Sequence, residues 1–391
     1  MPGSSTQLTR GLMALLVISV FTTSGAIHYQ TPMLGQIAAE FHASAAAVGW
    51  VATLSFGGYL VGTVLLVPLG DRFDKRGLVL TQMACLIASL LLMAAAPTLL
   101  VLSIGAFLVG MASTLSQHLV PLVSELAEPQ HRGRIVGTLL SGLFVGILFA
   151  RLTGGLVATY LHWRWMYVIA ALMISLTATA MFVRLPGNPP KTHLSYAALL
   201  RSLLQLWLAH PRVRRASAIQ FMIGIGYGGF WATLASTLML LHGLGPTVAG
   251  LMGIPGAAGV LVSRPAGRWM DARGAGPVVK TGACLVLAAF VAFAFASAWV
   301  GAIVLGAILL DCGLRSAMVA NQTLVIETVP EARSRSSTIF MGHVWGGNAV
   351  GAFLASLALT HAGWLAVCAI GLVAAAAALL LAWRGQVKPA N

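Results

Sequence analysis

Apolar runs long enough to cross a bilayer recur along the whole chain, separated only by short polar breaks. A helix needs about 20 such residues to span the hydrocarbon. Twelve runs meet that need: 11–34, 46–69, 77–96, 98–124, 133–159, 163–184, 213–241, 246–266, 277–297, 299–326, 335–360 and 363–384. In lipid each segment must satisfy its own backbone polar groups, so the runs predict helices. The first is longer than a signal-peptide core and reads as a retained span. The chain is 58% hydrophobic and 8% charged. A soluble domain carries roughly 25% charged residues, so most of this surface must face lipid.

The formal net charge is +14, but the charges form no patch or tail of the kind nucleic acid requires. Twenty of the 23 Lys and Arg residues fall in the two tails and the alternate breaks, all on one side of the expected membrane. The other side holds Arg164, and Arg151 and Arg315 lie deep within runs. Basic residues concentrate on the cytoplasmic face, so both termini are expected to be cytoplasmic. Cys85, Cys284, Cys312 and Cys368 all sit in apolar stretches. They have neither disulfide nor metal spacing and read as small buried hydrophobes.

The chain repeats itself. Pro68, Gly70, Asp74, Arg76 and Gly77 recur as Pro265, Gly267, Asp271, Arg273 and Gly274, each at an offset of 197. Glu125 with Arg132 and Arg134 recurs as Glu327 with Arg333 and Arg335, and His162 with Trp165 recurs as His361 with Trp364. The longest break, 185–212, opens with prolines and continues as a basic amphipathic segment suited to a membrane surface. The expected organisation is a six-helix bundle over 1–184, a cytoplasmic linker over 185–212 and a second six-helix bundle over 213–391. The fold class is all-α, with twelve transmembrane helices in two pseudo-symmetric bundles. Parallel repeats of this kind place a substrate site between the halves.

The break after the second run, Gly70-Asp71-Arg72-Phe73-Asp74-Lys75-Arg76, resembles the signature loop of the major facilitator superfamily, G-x-L-A-D-R-x-G-R-K. Asp71, Arg72, Lys75 and Arg76 match it, and Asp271 and Arg273 stand in the second copy. Span count, orientation, repeat and loop position extend the resemblance over the whole chain. The fifth run, with Gly142, Gly146, Gly154 and Gly155, is similar to the antiporter signature of the drug and sugar efflux branches. Ala150-Arg151 stands where that signature has Gly-Pro. Small residues four apart also let helices pack closely, and both readings stay open. The resemblance implies the major facilitator fold and a gating role for the signature loop. Glu125, Arg132, Glu327 and Arg333 read as ion-pair clusters of the same inner gate.

An ionisable residue within a membrane span is a functional candidate by default. Asp311 is the only carboxylate deep in a run, and Arg315 lies on the same helix face four residues on. Burial and a neighbouring cation pull such a carboxylate in opposite directions, so Asp311 is a candidate proton carrier. A permanent ion pair with Arg315 or Arg151 is the alternative. Arg151, Arg315 and His118 complete the proton-coupling candidates. His28, Gln117, Tyr227, Trp231, Asn321, Gln322, Trp345 and Asn348 are candidates to line a substrate cavity.

A membrane enzyme would need a catalytic constellation at one depth, and an ATP-driven pump a nucleotide-binding glycine loop; the sequence has neither pattern. No cofactor or metal is expected. The expected function is secondary transport of a small molecule through the inner membrane of a bacterium, with protons as coupling ion, by a monomer. Efflux leads, with uptake by symport or a non-transporting sensor as alternatives.

Overall fold

A computed structural model gives the fold. It describes residues 9–126, 128, 131–187 and 195–384, apart from the side chains of 124–126, 132 and 133. The side chains of Glu125 and Arg132 therefore lie outside the described residues. Every regular element described is a helix.

Ten helices are long and apolar enough to cross a membrane among the described residues. The sequence predicts twelve runs, and the difference has two causes. The helix Arg10–Ser24 stops short. Thr23 Oγ1 donates back to the Ser19 carbonyl at 2.7 Å, and Ser24 Oγ donates to the Leu143 carbonyl of another helix at 3.1 Å. Turns follow, then a 3-10 turn Thr31–Met33 containing Pro32 and a short helix Leu34–Glu40. At the other end, Arg333–Trp383 runs as one element, although Gly363 inside it has φ 74° and ψ −170°. That left-handed conformation suits glycine, and it separates two helices.

The segment Pro246–Arg273 is also broken, into Pro246–Leu251, Gly253–Gly256 and Ala258–Arg273, around Pro255. Proline removes one backbone donor and crowds the preceding turn. Leu99–Ala112 continues through a 3-10 turn Ser113–Leu115 into Ser116–Leu126.

Glycines set the helix contacts. Gly142 and Gly146 of the helix Arg132–Tyr160 press on Val17 and Phe21 of Arg10–Ser24. Gly347 and Gly351 press on Phe221 and Ile225 of the helix Pro211–His242 in the same manner. The fifth-run glycines thus pack helices, one of the two readings left open above. In the same way Gly62 meets Met111, and Gly259 meets Asp311. Gly62 and Gly259 share the repeat offset of 197, and the first meets an apolar residue where the second meets the buried carboxylate.

Gly57 and Gly58 are neighbours on the helix Ala45–Leu65. A Cβ on Gly58 would lie 2.0 Å from the Phe107 carbonyl oxygen, whereas a Cβ on Gly57 would meet nothing within 4 Å. Gly58→Ala is expected to destabilise the protein by about 1–3 kcal/mol through overpacking. Gly57→Ala should be neutral or stabilising, since alanine is the better helix former. Melting curves of the two detergent-purified variants check this; equal melting points would contradict the packing.

Buried apolar side chains gather in two large cores. One is drawn from Leu12 to Leu185 with Ala232 and Ala352, the other from Ile219 to Ala382. The linker forms the helix Tyr196–Ala209, which Ser195 caps, with Leu199, Leu203 and Leu206 buried and Leu204 and Leu208 exposed. Tyr196 Oη donates to the Leu65 carbonyl at 2.8 Å, and Trp207 stacks on His343 with ring centroids 6.2 Å apart. The linker therefore touches both halves of the chain.

The outer surface carries large apolar side chains, among them Leu100, Leu172, Leu261 and Val373. Cys85 and Cys284 are exposed there, Cys312 is half-buried and Cys368 is buried. This corrects the expectation that all four cysteines are buried. A lipid-facing surface is as apolar as a core, so apolar neighbours in sequence do not separate the two.

Candidate functional site

The buried charged side chains, among the described residues, are Lys75, Arg151 and Asp311. Two of them meet at the seam between the halves. Arg151 comes from the helix Arg132–Tyr160 in the first half. Its Nη2 donates to the Tyr227 hydroxyl at 3.0 Å, and its guanidinium carbon lies 3.4 Å from the centroid of the Trp231 ring. Both partners belong to Pro211–His242 in the second half. The favour is returned: Arg315, from the helix Val300–Thr328, places its guanidinium carbon 4.5 Å from the ring of Phe144 in the first half. A cation over an aromatic face is attracted by the ring quadrupole, more strongly where water is excluded.

Asp311 is 3% exposed and lies between these two cations. Both guanidiniums act on it electrostatically, yet no ion pair within 4.0 Å joins it to either, and its Oδ2 has no hydrogen-bond partner in the protein. The direct pair raised as an alternative above is not formed in this structure.

The broken helix explains how three large charged groups fit. Gly253, Gly256 and Gly259 lie at intervals of three along its pieces. A Cβ on Gly253 would touch the Arg151 stem at 3.4 Å. On Gly256 it would lie 3.1 Å from Asp311 Oδ2 and 3.1 Å from the Trp231 ring, and on Gly259 2.9 Å from the Arg315 stem. One glycine-lined backbone thus covers all three residues. Breaks in membrane helices are tolerated where backbone lines a cavity or packs in protein.

His28 sits in the break of the first helix. It is 3% exposed, its Nδ1 has no protein partner, and Arg151 and Arg315 are its electrostatic neighbours. His28, Tyr227, Trp231, Arg151, Asp311 and Arg315 therefore converge. Phe144 and the Gly253–Gly259 backbone join them and were not singled out from the sequence. The three-residue glycine spacing was the available signal.

The remaining candidates are spread along the seam. Trp345 lies tilted against Tyr59 across the halves with centroids 4.0 Å apart, and Tyr59 bonds to Gln117, which also donates to Thr63 Oγ1 at 3.0 Å. Asn348 is buried against Gly224 and Gly228, with its Oδ1 unpartnered. Asn321 contacts Gln220 at 3.5 Å, while Gln322 is half-buried. His118 lies elsewhere, against Gly70 at the basic end and near Lys75.

The signature loop is built as a helix start. Asp74 accepts from the Arg76 and Gly77 amides, and Arg76 Nη2 donates to the Phe182 carbonyl at 2.7 Å. Asp71 is half-buried and Arg72 is exposed over the Phe73 ring. Asp271, Arg273, Glu327 and Arg333 are all exposed.

At the opposite end the halves are closed on one another. Thr247 Oγ1 donates to Thr159 Oγ1 at 2.8 Å, and the Ala46 amide donates to Thr360 Oγ1 at 2.7 Å. Gly49 fits against Ser356, and Gly155 against Pro246 and Gly250. Nearby, Glu40 accepts from Trp163 Nε1 and pairs with Arg164 at 3.0 Å and His162 at 3.3 Å.

The family model described as Major Facilitator Superfamily matches residues 15–219 and 216–391. The uncharacterized transporter YgaY of Escherichia coli O157:H7 is 33% identical over 380 residues, 97% of this chain and 96% of its own. A probable transporter of Streptomyces coelicolor is 32% identical over 100% of this chain and 90% of its own. A probable sugar efflux transporter of Helicobacter pylori is 26% identical over 90% of each. Among solved structures, the nucleoside transporter NupG superposes with a TM-score of 0.78 at 14% identity, covering 95% of this chain and 97% of that one.

Proposed function

Because the chain belongs to the major facilitator superfamily, we propose that it moves a small molecule through the bacterial inner membrane by alternating access, coupled to protons, with efflux as its direction. Its family and its transporter-named relatives make it a transporter rather than an enzyme. The observation that carries the mechanism is the reciprocal placement of Arg151 and Arg315, each reaching under a ring of the other half beside Asp311. Charged residues held at such a seam can change partners when the halves rock.

In this reading the chain has twelve spans, counting the broken first segment and the two helices on either side of Gly363. The bundles are 1–184 and 213–391, joined by the 185–212 linker, and the protein acts as a monomer. Both termini and the basic loops face the cytoplasm, following the Lys and Arg distribution. The end closed by Thr159, Thr247 and Thr360 then faces outward, so the substrate would reach the site from inside. Efflux is supported by the fifth-helix resemblance and by the sugar-efflux relative. Asp311 carries the proton. The groups facing it are Arg151, Arg315, Tyr227 and Trp231, with His28 beside the two arginines and Cys312 next in sequence.

Uptake by proton symport is the second reading. It is favoured by the two guanidiniums around one carboxylate, which suit a proton and an anion travelling together.

The test is flux in proteoliposomes holding a pH dye, with drugs, sugars, amino acids and organic acids offered to wild type and Asp311→Asn. Substrate-dependent proton movement is expected in wild type and should vanish in the variant. Proton movement equal in both would remove Asp311 from the coupling path.

A further inference from the structure

We propose, building on the symport form of the transport reading, that the central site takes an organic anion: a carboxylate held by Arg151 and Arg315, with an apolar or aromatic body against Trp231, Tyr227 and Phe144. Charge balance makes the case. Two guanidiniums, buried Arg151 and half-buried Arg315, act on one buried carboxylate, which leaves one positive charge in excess at the seam. An isolated buried charge is costly unless it is paired and hydrogen-bonded.

The donors agree. Arg151 Nε, Arg315 Nε and Trp231 Nε1 are buried N–H groups without a partner in the protein, and His28 Nδ1 lies beside them unpartnered. Arg151 and His28 are each 3% exposed and Trp231 is 1% exposed. A carboxylate offers two oxygens and about four acceptor positions, and it matches guanidinium geometry. A neutral amide would satisfy fewer of these donors and none of the excess charge. An ammonium would add a third cation. The rings that flank both guanidiniums supply apolar area for the remainder of the ligand.

The same geometry couples the anion to a proton. Ionised Asp311 competes with the ligand for the two guanidiniums. Its protonation leaves them to the ligand, so proton and anion favour one another. The groups that bear on this equilibrium are Arg151, Arg315, His28 and Tyr227 from the packed helices and Cys312 from its own.

The experiment is equilibrium binding to the full-length protein in nanodiscs. Benzoate, salicylate and phenylacetate are compared with benzamide and benzylamine. The carboxylates are expected to bind at least about tenfold more tightly than benzamide, and benzylamine least. Asp311→Asn should tighten benzoate about tenfold by removing a like charge. From about pH 8 to about pH 6, where benzoate stays ionised, affinity should rise in wild type and stay flat in Asp311→Asn. Arg315→Gln should weaken benzoate binding while leaving benzamide unchanged. Benzamide or benzylamine binding as tightly as benzoate, or no carboxylate binding at all, overturns the anion site. Flux of the same probes separates the two readings. Benzylamine moved in preference to benzoate sinks the anion class and keeps the transporter. Benzoate bound but never moved keeps the site and sinks transport through it.

Discussion

Arg151→Leu is expected to lower transport by at least about 100-fold in proteoliposomes at matched incorporation. The guanidinium donates a charged hydrogen bond to Tyr227, a contact class that contributes about 1.5–3 kcal/mol. It also covers the Trp231 ring, where a desolvated cation contributes about 2 kcal/mol. The leucine variant loses both and leaves Asp311 to Arg315 alone, so the exchange of charged partners on which coupled movement rests cannot take place. Arg151→Lys should recover only part of the loss, because an ammonium cannot stack flat on the indole and donate sideways to the phenol together. Flux near wild type in Arg151→Leu would show that the seam cluster is a packing feature without a part in transport.

The second large effect is a conditional lock. Thr159 and Thr247 approach hydroxyl to hydroxyl at 2.8 Å across the halves. A Thr159→Cys, Thr247→Cys pair should close into a disulfide on mild oxidation, since its sulfurs begin close to bonding range. Flux should then fall to background and return on reduction. Each single variant should transport normally with or without oxidant. A cross-linked protein that still transports would mean that this end does not open during the cycle. The native Cys85, Cys284, Cys312 and Cys368 are replaced first, so that only the engineered pair responds.

Hydropathy made most of the helices legible, because bilayer thickness fixes both their length and their composition. It missed the break after Ser24, where hydroxyl side chains bond back to carbonyls within a run that is apolar on average. It missed the pieces around Pro255 for the same reason of averaging. Arg151, Asp311 and Arg315 stood out because charges are rare in such runs. Their partners did not: nothing local marks Phe144 among many apolar neighbours, and a cross-half contact leaves no periodicity. His118 and Gln117 are adjacent in sequence but serve different surroundings, one under Gly70 and the other beside Tyr59 and Thr63. Helix rotation over one residue decides that. Lipid-facing and core-facing positions, as at Cys85 and Cys368, share one alphabet and separate only in three dimensions.

The crossed arrangement of Arg151 and Arg315 also bears on what the protein does when nothing is bound. Each half stores its own cation beneath a ring belonging to the other. Parting the halves strips both contacts at once, and each contributes about 0.5–2 kcal/mol. An empty carrier therefore resists turning over, while a ligand that engages both guanidiniums offers them a replacement. Under the proposed proton coupling, slippage, the idle cycling that would dissipate the gradient, would be restrained by these two arginines.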